Sequence, residues 1–337
     1  MTSAVSWRFI VSTLGVLPLA CSDPVTLDGF DASGTSRVTE QIESARIEHD
    51  VNQLYSSHRA DRPIDCGSIC DANPLVPSLS HDATRQLLRE RLQLLRLPWT
   101  EQQLDQPVGL VNLYVDLPGA TEPEEVVLVA AHYDAYFGGA DDNSTGVAAL
   151  LELARVLPSF RFARTVRLAF FDLEELGCRG ATLYTQRVAL ERHRIVFVLD
   201  SLGSRHTGAG SQPAEFGVPW PSSADFLLVQ ANSAVARQAA QLELLNRTLR
   251  LTRLFTIVAP ADGAYPLTTG LLNGDQIPFW LAHVPTVNFS DTPCCREHRM
   301  HTERDVPEAL DPAFLTENTR FTAAAVAYFA GVLADAP

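Results

Sequence analysis

The chain has 337 residues, 46% hydrophobic and 20% charged, the make-up of a globular protein and not a disordered one. Its 40 Asp and Glu against 26 basic residues, every one of them Arg, leave a formal net charge of −14. That excludes a basic phosphate-binding patch and with it nucleic acid as a partner, while the length allows one large α/β domain or two smaller ones.

Residues 1–21 have the layout of an export signal. Arg8 is the only charge before Asp23, and the small apolar run from Phe9 to Ala20 is too short to cross a bilayer as a mature helix. Leu17-Pro18-Leu19-Ala20-Cys21 resembles a bacterial lipobox, with Pro18 where Leu is usual. A lipidated Cys21 would be the sole membrane attachment; the other reading is a plain cleaved signal. Export permits disulfides. Cys66, Cys70, Cys294 and Cys295 can pair in three ways, and the sequence does not choose among them. Cys178 reads as a small buried apolar residue.

Residues 22–37 are rich in Asp, Ser, Gly and Thr and predict a flexible leader. Apolar spacing predicts a helix over Val38–Tyr55, then a Pro- and Cys-rich loop over 59–80, then a helix over Ala83–Leu95. Leu110–Leu117 alternates as a strand. Val126–Ala131, Val166–Phe171 and Ile195–Leu199 are continuous apolar runs, the mark of strands buried on both faces. Helices are predicted over Ser144–Leu157 and Ala181–Leu190 between them. Phe226–Val229, Leu251–Ile257 and Val284–Phe289 are further strands, with helices near Ala234–Leu245 and over Pro312–Leu333. The alternation implies an α/β fold: one domain over residues 38–337, with a mixed, mostly parallel central sheet and helices on both faces. The Gly- and Pro-rich loop 203–223 reads as a rim of the site.

The three buried strands empty into His and carboxylates. His132, Asp134 and Asp141 follow the first, Glu174 and Glu175 the second, and Asp200 the third; His301 lies on a fourth element. Each acid alone is an ordinary strand end or helix cap. Several at one sheet edge are different, because holding carboxylates together out of water calls for a cation.

These motifs, His132-Tyr133-Asp134, Gly139-Ala140-Asp141-Asp142-Asn143 with Gly146, Glu174-Glu175-Leu176-Gly177 with Gly180, Leu199-Asp200, Gly274-Asp275 and His301-Thr302 with Asp305, resemble the zinc aminopeptidases of the M28 type, a family that also includes glutaminyl cyclases. The resemblance implies two zinc ions, with Asp141 bridging them, Glu175 and His301 completing one and His132 and Asp200 the other. It implies a cis peptide bond between Asp141 and Asp142. Asp134 would orient His132 through its second ring nitrogen, and Glu174 would be the general base. Asp275 would contact a peptide substrate, although Gln276 stands where the family usually carries His. The alternatives are a one-zinc cyclase acting on N-terminal Gln, for which Met300 stands where Trp is usual, and a non-catalytic binding protein. Tyr136, Phe137, Trp220 and Trp280 are candidate pocket walls, and Asp142 and Asn143 candidate helix caps.

Overall fold

A computed structural model describes residues 8–12, 15–18, 24–61, 75–104, 109–214, 218–259, 274–292 and 296–334. Cys21, Cys66, Cys70, Cys294 and Cys295 fall outside these residues, and so do the disulfide and lipidation expectations. The strands are β1 (Arg8–Ser12), β2 (Gly15–Pro18), β3 (Leu79–Ser80), β4 (Thr100–Leu104), β5 (Leu110–Leu117), β6 (Glu122–His132), β7 (Ala135–Tyr136), β8 (Arg164–Phe171), β9 (His193–Leu199), β10 (Leu227–Asn232), β11 (Leu254–Ala259) and β12 (Thr286–Ser290). The helices are α1 (Ala32–Glu40), α2 (Ser44–Ala60), α3 (Asp82–Leu94), α4 (Ser144–Val156), α5 (Arg179–Arg187), α6 (Ala236–Leu249), α7 (Gln276–Leu281) and α8 (Pro312–Ala330).

Ten strands form one mixed sheet in the order β2-β1-β11-β10-β12-β9-β6-β8-β5-β4. Its centre, β12-β9-β6-β8, is parallel. The order explains the apolar runs. Along β6, Val127, Val129 and Ala131 face one core cluster while Leu128 and Ala130 face another, so no position is left for a polar side chain. The first cluster is roofed by Val38 of α1, Ile47, Val51 and Leu54 of α2, Leu88 and Leu92 of α3, the apolar side of α4, and Phe321 and Val326 of α8. The second is covered by Ala181 and Tyr184 of α5 and Phe279 of α7. Helices therefore lie on both faces, as the strand–helix alternation predicts.

Two expectations change at the N-terminus. The leader is not free over its second half: Asp31 caps α1 by accepting from Gly34 N–H, and Thr35 and Val38 are buried beneath it. The long helix predicted from Val38 is two helices, broken at Gln41–Glu43, because the chain turns to bring α1 against α8 and α2 against α4. The backbone of the segment expected to be an export signal forms the hairpin β1–β2, with β1 beside β11 at the sheet margin.

Candidate metal centre

In the sheet order β9, β6 and β8 are neighbours and parallel, so their carboxyl ends open at one edge. His132 is the last residue of β6. Asp200 follows β9 directly, and Glu174 and Glu175 stand three and four residues beyond β8. His301 arrives from the segment after β12, which is held down by Arg296. That guanidinium is buried and donates to the carbonyls of Phe226 and Ser204 at 3.0 and 2.8 Å.

Two ligand sets converge there. His132, Asp142 and Asp200 place one ligand atom each within 4.8 Å of one another, and so do Asp142, Glu175 and His301. Asp142 belongs to both. Its Oδ1 lies 3.3 Å from His132 Nε2 and its Oδ2 lies 3.0 Å from His301 Nε2. Glu175 Oε1 is 3.1 Å from His301 Nε2, yet it is a buried oxygen with no hydrogen-bond partner. Imidazole nitrogens and carboxylate oxygens aimed at common points fit divalent cations of the zinc type.

The residue shared by the two sets is thus Asp142, one later than Asp141, to which the resemblance gave the bridging role. Asp141 lies outside both sets. Its Oδ1 accepts from the backbone N–H of Gly203 at 2.9 Å, and burial, with Asp291 and Asp305 nearby, holds its carboxyl well above the usual range. The cause is in the turn. Asp305 accepts from the backbone N–H of both Asp141 and Asp142, at 2.8 and 3.2 Å, and so sets which way each side chain leaves the chain. The cis peptide bond is also one step later, between Asp142 and Asn143. Asn143 does not cap α4. It donates to Leu199 O at 2.9 Å and accepts from Ser201 N at 3.1 Å, tying the turn to the end of β9. Glycines permit these close approaches: Gly139 has φ +50°, and a Cβ there would stand 2.5 Å from Asp142 O, while one on Gly146 would stand 2.6 Å from Asn143 Oδ1. No periodicity governs a turn, so nothing in Ala140-Asp141-Asp142-Asn143 could have told which Asp faces inward. The clamping role of Asp305 lies 164 residues away in sequence from its partner and was equally invisible.

Asp134 lies where the resemblance implied and does more. Its Oδ1 is 3.5 Å from His132 Nδ1, whose closest contact is the Asp134 carbonyl at 3.1 Å. Its two carboxylate oxygens also accept from the backbone N–H of Glu174 and Glu175, at 3.0 and 3.2 Å. The buried carboxylate thereby fixes the backbone of Glu174 and Glu175, while the carbonyl of the same residue holds the His132 ring. Burial raises Glu174 well above the usual carboxylate range, and the charges of Glu175, Asp275 and Asp200 add to this while His132 opposes it. Such a carboxyl is suited to taking up a proton. Burial alone would lower His301, but Asp142 and Glu175 beside it lift it to about 11. Glu175 is itself pushed up to about 7, burial being the main cause. Cations at the two focal points would replace such protons.

A cavity of about 920 Å³ opens beside the cluster, lined by Asp142, Glu174, Glu175, Asp200 and His301 at one end. Tyr136 supports it from behind, donating to Glu175 O at 3.2 Å with its ring edge-to-face with His301. Trp220 and Trp280 are not walls of the cavity. They pack in a separate cluster with Phe226 and Phe255. Asp275 is 1% exposed and is not among the described residues lining the cavity; neither carboxylate oxygen has a hydrogen-bond partner among the described residues, and burial lifts it to about 8. Its charge acts on Glu174, whose carboxyl it helps to hold high.

The family model for peptidase family M28 matches residues 112–326, which hold every residue of this cluster. The chain belongs to peptidase family M28. It is 38% identical over 136 residues to the aminopeptidase YwaD of Bacillus subtilis, covering 39% of this chain and 29% of that protein. It is 26% identical over 222 residues to the uncharacterized protein YfbL of Escherichia coli, covering 59% of this chain and 65% of that one. The M28 chain thus spans less than two thirds of these relatives. Among solved structures, LapB of Legionella pneumophila superposes with a TM-score of 0.66 at 18% identity, over 91% of this chain and 76% of that one. A glutaminyl cyclase from Porphyromonas gingivalis superposes with a TM-score of 0.58 at 15% identity, over 85% and 98%. At these identities the likeness is one of fold.

Proposed function

We propose that this M28 chain is an exported di-zinc aminopeptidase that releases the N-terminal residue of peptides. The observation that carries the reading is the Asp142 carboxylate, with one oxygen facing the His132 set and the other the His301 set. His132, Asp142 and Asp200 would hold one ion and Asp142, Glu175 and His301 the other, each through three protein groups, which leaves positions open for water and substrate. When bound, zinc supplies Lewis acidity, easing loss of a proton from water and polarising the scissile carbonyl. Glu174 takes a proton from the attacking water as its oxygen bonds to the carbonyl carbon. It gives a proton to the peptide nitrogen as the C–N bond breaks, so that it ends as it began. Asp134 keeps His132 turned and the Glu174 backbone in place.

Zinc is supported by the nitrogen and oxygen donor set and by the name of a zinc aminopeptidase of Bacillus subtilis with the same fold (TM-score 0.52 at 24% identity). The Phe9–Cys21 text supports export, either with a lipidated Cys21 or with a plain cleaved signal. The test is hydrolysis of a panel of aminoacyl-nitroanilides beside a Gln-initiated peptide, with zinc content measured on the same sample. Release of nitroaniline with about two zinc per chain is expected. One zinc with closure of the N-terminal Gln would transfer the chain to the cyclase reading.

A further inference from the structure

Strand β12 is anomalous for its place. It lies fifth in a ten-stranded sheet, between β10 and β9, and a strand covered on both faces should be apolar throughout. Its sequence Thr286-Val287-Asn288-Phe289-Ser290 alternates instead. Val287 and Phe289 enter the main core, whereas Asn288 and Ser290 line the cavity. On that face they interrupt two apolar clusters, one around Val198 and Phe279 and the other around Leu228 and Trp280.

Asn288 is 1% exposed. Its Nδ2 donates to Oε1 of Gln230, its directly opposite residue on β10, at 2.9 Å. That leaves Asn288 Oδ1 a buried acceptor with no partner among the described residues, an unfavourable arrangement unless a donor arrives. One step toward the sheet edge, Ser290 Oγ accepts from Thr292 N–H at 3.1 Å and donates to none of the described residues. An acceptor and a donor thus face the same cavity.

The depth is also defined. Asn288 pairs with Val198, two residues before Asp200 on β9. At about 3.3 Å per residue it lies about 7 Å inward from the metal-facing rim. That is the reach of an amino-acid side chain whose scissile carbonyl sits at the ions. Ile277, Pro278 and Leu281 of the α7 segment supply an apolar flank for the methylene part. No Arg is among the described lining residues, so a carboxylate side chain finds no counter-charge there.

We propose that this stripe is the side-chain subsite of the peptidase, and that it selects a released residue with an uncharged hydrogen-bonding side chain, foremost a carboxamide, over aliphatic, aromatic or acidic residues. A carboxamide donates to Asn288 Oδ1 and accepts from Ser290 Oγ–H, satisfying both at once. The inference rests on the aminopeptidase reading of the same cluster.

The experiment compares kcat/KM of the zinc-loaded full chain on Gln-, Asn-, Leu-, Phe- and Asp-nitroanilides, and repeats it with Asn288→Leu and Ser290→Ala. Calorimetric binding of glutamine amide and leucine amide to the unaltered protein runs alongside. Expected are a preference of tenfold or more for Gln or Asn over Leu, a fall of that ratio of at least tenfold in Asn288→Leu and a smaller fall in Ser290→Ala, with zinc content unchanged. Should Asn288→Leu fail to fold, the unaltered protein and Ser290→Ala decide. A preference for Leu or Phe in the unaltered protein, or a Gln/Leu ratio insensitive to the variants that fold, overturns the subsite. Absence of hydrolysis on every substrate overturns the peptidase reading instead. The subsite is then judged on binding, where equal or weaker affinity for glutamine amide overturns it.

Discussion

At the scale of single residues, the site is a set of acids whose roles follow from what each touches. Asp134, Asp141, Asp142, Glu174 and Glu175 are all ionisable and all within two short stretches of chain. Only geometry separates a residue with an oxygen on each ligand set from one tied to a backbone N–H of Gly203. The identity of His132, Glu175, Asp200 and His301 as the remaining members was legible, because each follows a recognisable strand or motif. The choice between Asp141 and Asp142 was not, because adjacent residues in a turn carry no face. Glu174 is expected to matter for proton transfer and not for metal retention. Glu174→Ala should keep its zinc and lose about 10²–10⁴-fold in kcat, measured by metal analysis and nitroanilide turnover on one preparation. Turnover near the unaltered rate would remove Glu174 from the mechanism.

At the scale of elements, strands read best. Leu110–Leu117 was legible to the residue, and β6, β8 and β9 to within a few, because burial on both faces admits only apolar side chains. α1 was missed because its sequence, Ala32-Ser33-Gly34-Thr35-Ser36, has the small polar composition of a linker. Its helicity comes from the Asp31 cap and from docking on α8, which are tertiary facts. Helix α7 was missed for a different reason, since its 6 residues are too few to show a helical period. If α1 is part of the folded core, Val38→Ala should destabilise the protein by about 2 kcal/mol, from about 0.8 kcal/mol per methylene lost plus the cavity left behind. Urea unfolding measures this. A change below a few tenths of a kcal/mol would return residues 32–40 to the status of a tether.

At the scale of the molecule, two buried histidines that belong to neither cation set make stability depend on pH. His58 contacts Ser80 and Thr84, and His193 bonds Tyr184 Oη at 2.9 Å. Burial lowers both to about 4 from an ordinary 6.5. Between those values the unfolded chain binds protons that the folded chain does not. Their contribution to stability therefore rises with pH across that window, by up to about 1.4 kcal/mol per pH unit for each histidine. The contribution is complete above pH 6.5 and lost as pH falls toward 4. Raised carboxyls such as Glu175 and Asp275 contribute a slope of the opposite sign in metal-stripped protein, so the test is a difference: as pH falls from 7.5 to 4.5 the urea midpoint of the unaltered protein should drop further than that of His193→Gln. An identical slope in the variant would assign the acid sensitivity elsewhere.

The sheet also brings β9, β6 and β8 side by side, and on the proposed reading Asp142 joins the two cation sites built on their ends. Zinc bound per chain in the unaltered protein, Asp142→Ala and Asp141→Ala tests it most directly. The prediction is about two ions in the unaltered protein, fewer than one in Asp142→Ala because both sets lose a ligand, and two retained in a less stable Asp141→Ala. Retention of both ions by Asp142→Ala, or their loss from a folded Asp141→Ala, would contradict the account.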